Sequence, residues 1–128
     1  MRVLLDTCTV IWATMAPSAL SQAAREIISE PQNEVIVSAA SAWEIATKAR
    51  LGKLPEAEKL ESSFIDVMRI AGYTLLSLDV ETALRAGRMV APHRNPFDRL
   101  IAAQALGLDI PVISPDAPLD QFGVRRVW

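Results

Sequence analysis

At 128 residues the chain has the length of a single domain, taken as 1–128, with enough material for a real core. Its 51% hydrophobic and 22% charged residues exclude the disordered, fibrous and disulfide-stapled classes, and a net charge of -2 excludes a generic nucleic-acid coat, which depends on many Lys and Arg contacts. Cys8 is alone and cannot form an internal disulfide, Asp6 cuts short the N-terminal apolar run, and no later run approaches the roughly 20 residues of a membrane span, so a cytoplasmic protein without a membrane anchor is expected.

In chain order, Val3-Leu4-Leu5 reads as a first strand and Ser21 as the N-cap of a helix over Gln22 to Glu30. A second strand follows over Glu34 to Ser38, then a helix through Trp43 closed by Gly52 at C′. A helix over Ala57 to Ile70 leads to a third strand, Tyr73 to Leu78, and Asp79 caps a helix over Val80 to Met89. Asn95-Pro96 is an N-cap followed by proline at N1, opening a helix that ends near Gly107. Pro111 to Ser114 and Val124 to Val127 complete five short strands rich in Val, Ile and Leu, as strands buried on both faces tend to be. This alternation predicts an α/β fold, a three-layer α/β/α sandwich with a mostly parallel central sheet joined by right-handed crossovers.

In an open parallel sheet, ligands sit at the carboxyl ends of the strands, and four acids fall there. Asp6 follows the first strand, Glu44 lies at the start of the helix after the second, Asp98 is in the first turn after Asn95-Pro96, and Asp116 follows the fourth strand. Each has a structural alternative. Ser41-Ala42-Trp43-Glu44 matches a capping box, Asp98 is an N3 acid facing the positive end of a helix dipole, and Asp116 sits in a Pro-bounded turn. Asp6 is the hardest to explain structurally, because a carboxylate ending a buried strand is costly without a partner. Four carboxylates on one rim repel unless a cation stands between them. A hard ion such as Mg²⁺ or Mn²⁺ suits an all-oxygen set, and the chemistry it performs there is phosphodiester hydrolysis.

Four segments then carry a family likeness: Val3-Leu4-Leu5-Asp6-Thr7, Ser41-Ala42-Trp43-Glu44-Ile45 with Arg50-Leu51-Gly52-Lys53-Leu54, Asn95-Pro96-Phe97-Asp98-Arg99-Leu100-Ile101-Ala102-Ala103-Gln104-Ala105, and Val112-Ile113-Ser114-Pro115-Asp116. In this order they resemble the motifs of PIN-domain toxins of the VapC type, over nearly the whole chain. The resemblance implies an endoribonuclease that needs Mg²⁺ or Mn²⁺, leaves a 5′-phosphate and a 3′-hydroxyl, is often a homodimer, and is held inactive by a VapB-type antitoxin encoded beside it. Asp6, Glu44, Asp98 and Asp116 take the family's acidic positions, as metal ligands and catalytic groups. Asn95 stands where many relatives carry Asp, so it is either a neutral ligand or a plain cap. Ser114 stands where a hydroxyl residue orients the site, and Thr7 is expected to hydrogen-bond Asp6 or a metal-bound water.

Arg99, beside Asp98, is expected to reach a substrate phosphate or to pair with an acid. His93 reads as an exposed loop histidine, and Cys8 as a small buried thiol, since no arginine lies at the spacing of a phosphatase loop. Trp12 and Trp43 lie in apolar helical patterns that read as core or dimer interface, with stacking on RNA bases as the other reading. Two rivals fit less well. An aspartyl phosphatase usually has a second acid two residues after the first, where this chain has Cys8, and a non-catalytic module that keeps only the fold is expected to have lost the acids.

Overall fold

The computed structural model describes residues 1–92 and 95–128. His93, whose expected place is an exposed loop, lies outside the described residues, as does Arg94. Five parallel strands form one sheet: β1 (Arg2–Leu5), β2 (Glu34–Ser38), β3 (Thr74–Leu76), β4 (Val112–Ile113) and β5 (Arg126–Val127), in the order β3-β2-β1-β4-β5. All five expected strands are present, the last three shorter than expected. β3 is an edge strand, paired from Ile36↔Thr74 to Ser38↔Leu76, and its ladder stops where Ser38 ends β2 and begins the next helix.

Seven α-helices are described: α1 (Thr7–Met15), α2 (Gln22–Ser29), α3 (Ala39–Arg50), α4 (Pro55–Glu61), α5 (Phe64–Ala71), α6 (Val80–Arg88) and α7 (Pro96–Leu108). Short 3₁₀ turns cover Pro17–Ala19 and Ala117–Phe122. The alternation of β1 sorts the core into two layers. Val3 and Leu5 join Val10, Ile45, Leu60 and Met68 on one face, and Leu4 joins Ile101, Ala102, Ala105 and Leu119 on the other.

Several caps are where the sequence puts them. Ser21, Asp79 and Asn95 accept from Ala24, Thr82 and Phe97 backbone N–H groups, and Gly52 takes the left-handed conformation after α3. Other expectations change. The helix expected over 57–70 is two, broken at Ser62 and Ser63, which are poor helix formers, and its first half starts at Pro55, a proline at N1. α7 ends at Leu108, near Gly107 as expected, but its C-cap is Asp109, a non-glycine in the left-handed region at φ 54°. The Ser41 to Glu44 capping box does not form. Ser38 is the N-cap of α3, through a 2.9 Å bond from Ala40 N to its Oγ, so Glu44 lies in the second turn. α1 was foreseen only as an apolar helical pattern around Trp12, without bounds: Thr7, Thr9, Val10, Ile11 and Thr14 are β-branched residues that resist helix, and burial overrides that preference.

Candidate active site

β1 is the central strand, and the chain passes to β2 and β3 on one side before returning to β4 on the other. The direction of winding therefore reverses between β1 and β4, which is where open parallel sheets leave a crevice. Asp6 ends β1 and Ser114 follows β4, one residue beyond the Leu5↔Ile113 pair.

The chain turns directly from β1 into α1, and Asp6 is the cap of that helix, accepting from Thr9 N at 2.9 Å through Oδ1. The Ser114 hydroxyl donates to Oδ2 and accepts from Asp116 N at 2.9 Å, so one buried hydroxyl couples Asp6 to the backbone of Asp116. Cys8 Sγ donates weakly to both carboxylate oxygens, at 3.4 and 3.5 Å. Asp6 is buried all the same, and burial holds its carboxyl above the usual range, against the opposing effect of the Ser114 and Thr9 donors. The Cys8 thiol is pushed up as well, by burial first and then by the Asp6 charge, and stays protonated at neutral pH. That removes it as a nucleophile.

Glu44 is buried on α3, with one oxygen, Oε2, paired to Lys48 Nζ at 2.7 Å one turn on. The other oxygen, Oε1, is buried without a hydrogen-bond partner. Thr7 does not bond Asp6. Its hydroxyl meets the Ser41 hydroxyl at 3.1 Å and ties the start of α1 to the first turn of α3, one position beyond Asp6 and three before Glu44.

At the start of α7, Asn95 Oδ1 accepts from Phe97 N at 2.9 Å and Asp98 N at 3.4 Å, which makes it a cap and leaves Asp98 at N3. The Phe97 ring meets Trp43 edge-on at 4.6 Å between centroids, joining the second turn of α3 to the first turn of α7. Arg99 makes contacts that the sequence reading did not foresee. Its guanidinium donates to the carbonyl oxygens of Ala86 at 3.1 Å, Met89, and Ala91 at 3.3 Å, holding the end of α6 against α7. Trp43 is 55% exposed and so outside the core, whereas Trp12 is half-buried against Trp128.

Asp6, Ser114 and Asp116 are thus brought together by direct bonds, and Glu44 and Asp98 are carried by helices anchored to one another beside them. Among the described residues, no three carboxylate, thiol or imidazole groups stand close enough to hold an ion as a unit. The donor set still fits a hard divalent cation. A buried carboxylate at a strand end and a second with one oxygen left without a partner can both take an ion, and Mg²⁺ usually binds through one or two carboxylates with water completing its shell. Lys48 is the contributor the sequence reading passed over, although its i,i+4 spacing from Glu44 was legible. The bond of Ser41 to Thr7 was not legible because the two lie 34 residues apart.

Comparison with known proteins agrees with this architecture. Residues 3–124 match the family model of the PIN domain. Ribonuclease VapC16 of Mycobacterium tuberculosis is 49% identical over 55 residues, a stretch that spans 43% of this chain and 39% of that relative. The structure of VapBC2 from Rickettsia felis bound to a DNA fragment from their promoter superposes with a TM-score of 0.71 at 12% identity, covering 99% of this chain and 98% of that one. Mycobacterium tuberculosis VapC20, described as a sarcin-ricin loop cleaving toxin, gives 0.68 at 16% identity over 98% of both chains. At these identities the likeness to the solved structures is one of fold. A family match that begins in the central strand and runs through β4 to the last residues before β5 makes this chain a member of the PIN domain family.

Proposed function

We propose that the chain is a metal-dependent endoribonuclease and the toxin of a toxin–antitoxin pair, acting in the cytoplasm on RNA and held inactive by a VapB-type antitoxin. The observation that carries this reading is the buried Asp6 carboxylate at the sheet's switch point, coupled through the Ser114 hydroxyl to Asp116. Asp6, Glu44, Asp98 and Asp116 would hold Mg²⁺ or Mn²⁺, directly or through water. When bound, the ion supplies a lowered water pKa and neutralises charge on the scissile phosphate.

The chain's own part is orientation. Ser114 fixes Oδ2 of Asp6 and the turn that carries Asp116, while Lys48 fixes Oε2 of Glu44 and leaves Oε1 as the oxygen with an unfilled need. Thr7 and Ser41 hold α1 against α3, and Asn95 sets the entry angle of the helix that bears Asp98. The names of the relatives support the RNA substrate and the antitoxin partner, and a homodimer is part of the same proposal.

The purified chain should cleave a structured RNA in Mg²⁺ or Mn²⁺ and stop on addition of EDTA, and co-expression with the short protein encoded beside it should relieve toxicity. Cleavage at the same rate in EDTA would overturn the metal-dependent reading. A chain that is harmless with its acids intact and recovers no partner would overturn the toxin reading.

A further inference from the structure

Among the described residues Trp43 is the one aromatic side chain left exposed, at 55% of its surface. It sits one position before the buried Glu44 and packs edge-on, at 4.6 Å and 75°, on Phe97, one position before Asp98. The ring is thus held by a contact at the junction of the two helices that carry those acids, and a large apolar surface is presented to solvent there. Trp12 and Trp128 are paired with each other and half-buried against the core, so neither offers an equivalent surface.

We infer that Trp43 is a substrate-contacting residue on which an unstacked RNA base rests, a role that depends on the ribonuclease reading above. The hollow beside it, about 620 Å³, is also lined by Thr47, Arg50, Glu58 and Glu61. Two carboxylates on its wall repel a phosphate, so the group that enters is a neutral base and not the backbone. A base edge carries both donors and acceptors, which match Glu58 and Glu61 on one hand and Arg50 on the other. Stacking on an aromatic ring accepts any base and adds affinity through the π-face, and a ring already fixed by Phe97 loses little freedom on binding.

The structured RNA that the wild-type protein cleaves, and a set of the same RNA with one base removed at each unpaired position in turn, test the contact. Trp43→Ala should lower kcat/KM about tenfold with kcat at saturating RNA little changed, and Trp43→Phe should restore most of the loss. Removing one particular base should cost the wild-type protein a similar factor and cost Trp43→Ala nothing further, a non-additivity that a merely structural role would not give. Should Trp43→Ala melt below the assay temperature, Trp43→Leu takes its place in the same cycle. Equal losses at every base-free position in wild type and variant would overturn the contact. So would an unchanged kcat/KM with the variant shifted from dimer to monomer, which would make the ring a subunit contact. A wild-type protein that cleaves no RNA removes the ribonuclease reading and this contact together, whereas cleavage indifferent to Trp43 removes the contact alone.

Discussion

Glu44 and Lys48 show how a single pair sets the charge of the site. Lys48 keeps about a third of its side chain in water while Glu44 is almost fully buried, so the bond relieves a carboxylate that has little other compensation. Lys48→Met should therefore destabilise the metal-free protein, by less than the roughly 3–5 kcal/mol seen on breaking a fully buried pair, because one partner remains hydrated. Lys48→Met combined with Glu44→Gln should recover most of that loss, since no buried charge is then left alone. Urea unfolding of the four proteins in EDTA measures it, and additive losses would mean that Lys48 does not compensate Glu44. Asp6 and Asp116 were legible one by one because strand ends and turns leave local marks, and Ser114 came only from the family likeness. The bond that unites Asp6 with Ser114 was not legible, since it spans 108 residues and depends on β4 returning beside β1. The carbonyl partners of Arg99 were not legible for a related reason: they belong to the end of α6 and the segment after it, and only the packing of α6 on α7 delivers them.

At the level of elements, capping residues were the most reliable sequence signal, and α6 gives a test of their electrostatics. Asp79 is fully exposed and accepts from Thr82 N at 2.8 Å, and this bond holds its carboxyl below the ordinary value of 3.8. A carboxylate depressed on folding contributes stability that is present above its unfolded pKa and is lost as pH falls through the lower folded value. Asp79→Ala should thus lower the melting temperature at neutral pH, and the gap from wild type should narrow below about pH 4. Asp79→Asn, which caps without a charge, should stay near wild type at neutral pH and keep its margin over Asp79→Ala in acid, where wild type loses its own; a wild-type gap from Asp79→Ala that is constant with pH would mean the cap acts through shape alone. Elements without such marks were harder to read. α1 is apolar and β-branched nearly all round, so the helical pattern around Trp12 gives it no bounds, and its cap is the same Asp6 that reads first as a site residue. The break between α4 and α5 rests on two serines that helix periodicity runs straight through.

For the whole molecule, the alternation of short apolar runs with capped helices was enough to give a parallel sheet, and the winding reversal between β1 and β4 brings Asp6 together with the turn that bears Asp116. What the acids do there is a question of chemistry, and Asp6→Asn is the substitution best suited to it. Asparagine is as good an N-cap as aspartate, so the start of α1 survives, and removing a buried charge does not strain the metal-free fold. The rate of RNA cleavage in saturating Mg²⁺, measured for wild type and Asp6→Asn purified in parallel and matched in melting behaviour, decides the matter. The account predicts that the variant is folded and slower by about a hundredfold or more. A folded Asp6→Asn protein that cleaves at the wild-type rate would contradict it and leave Asp6 as a helix cap.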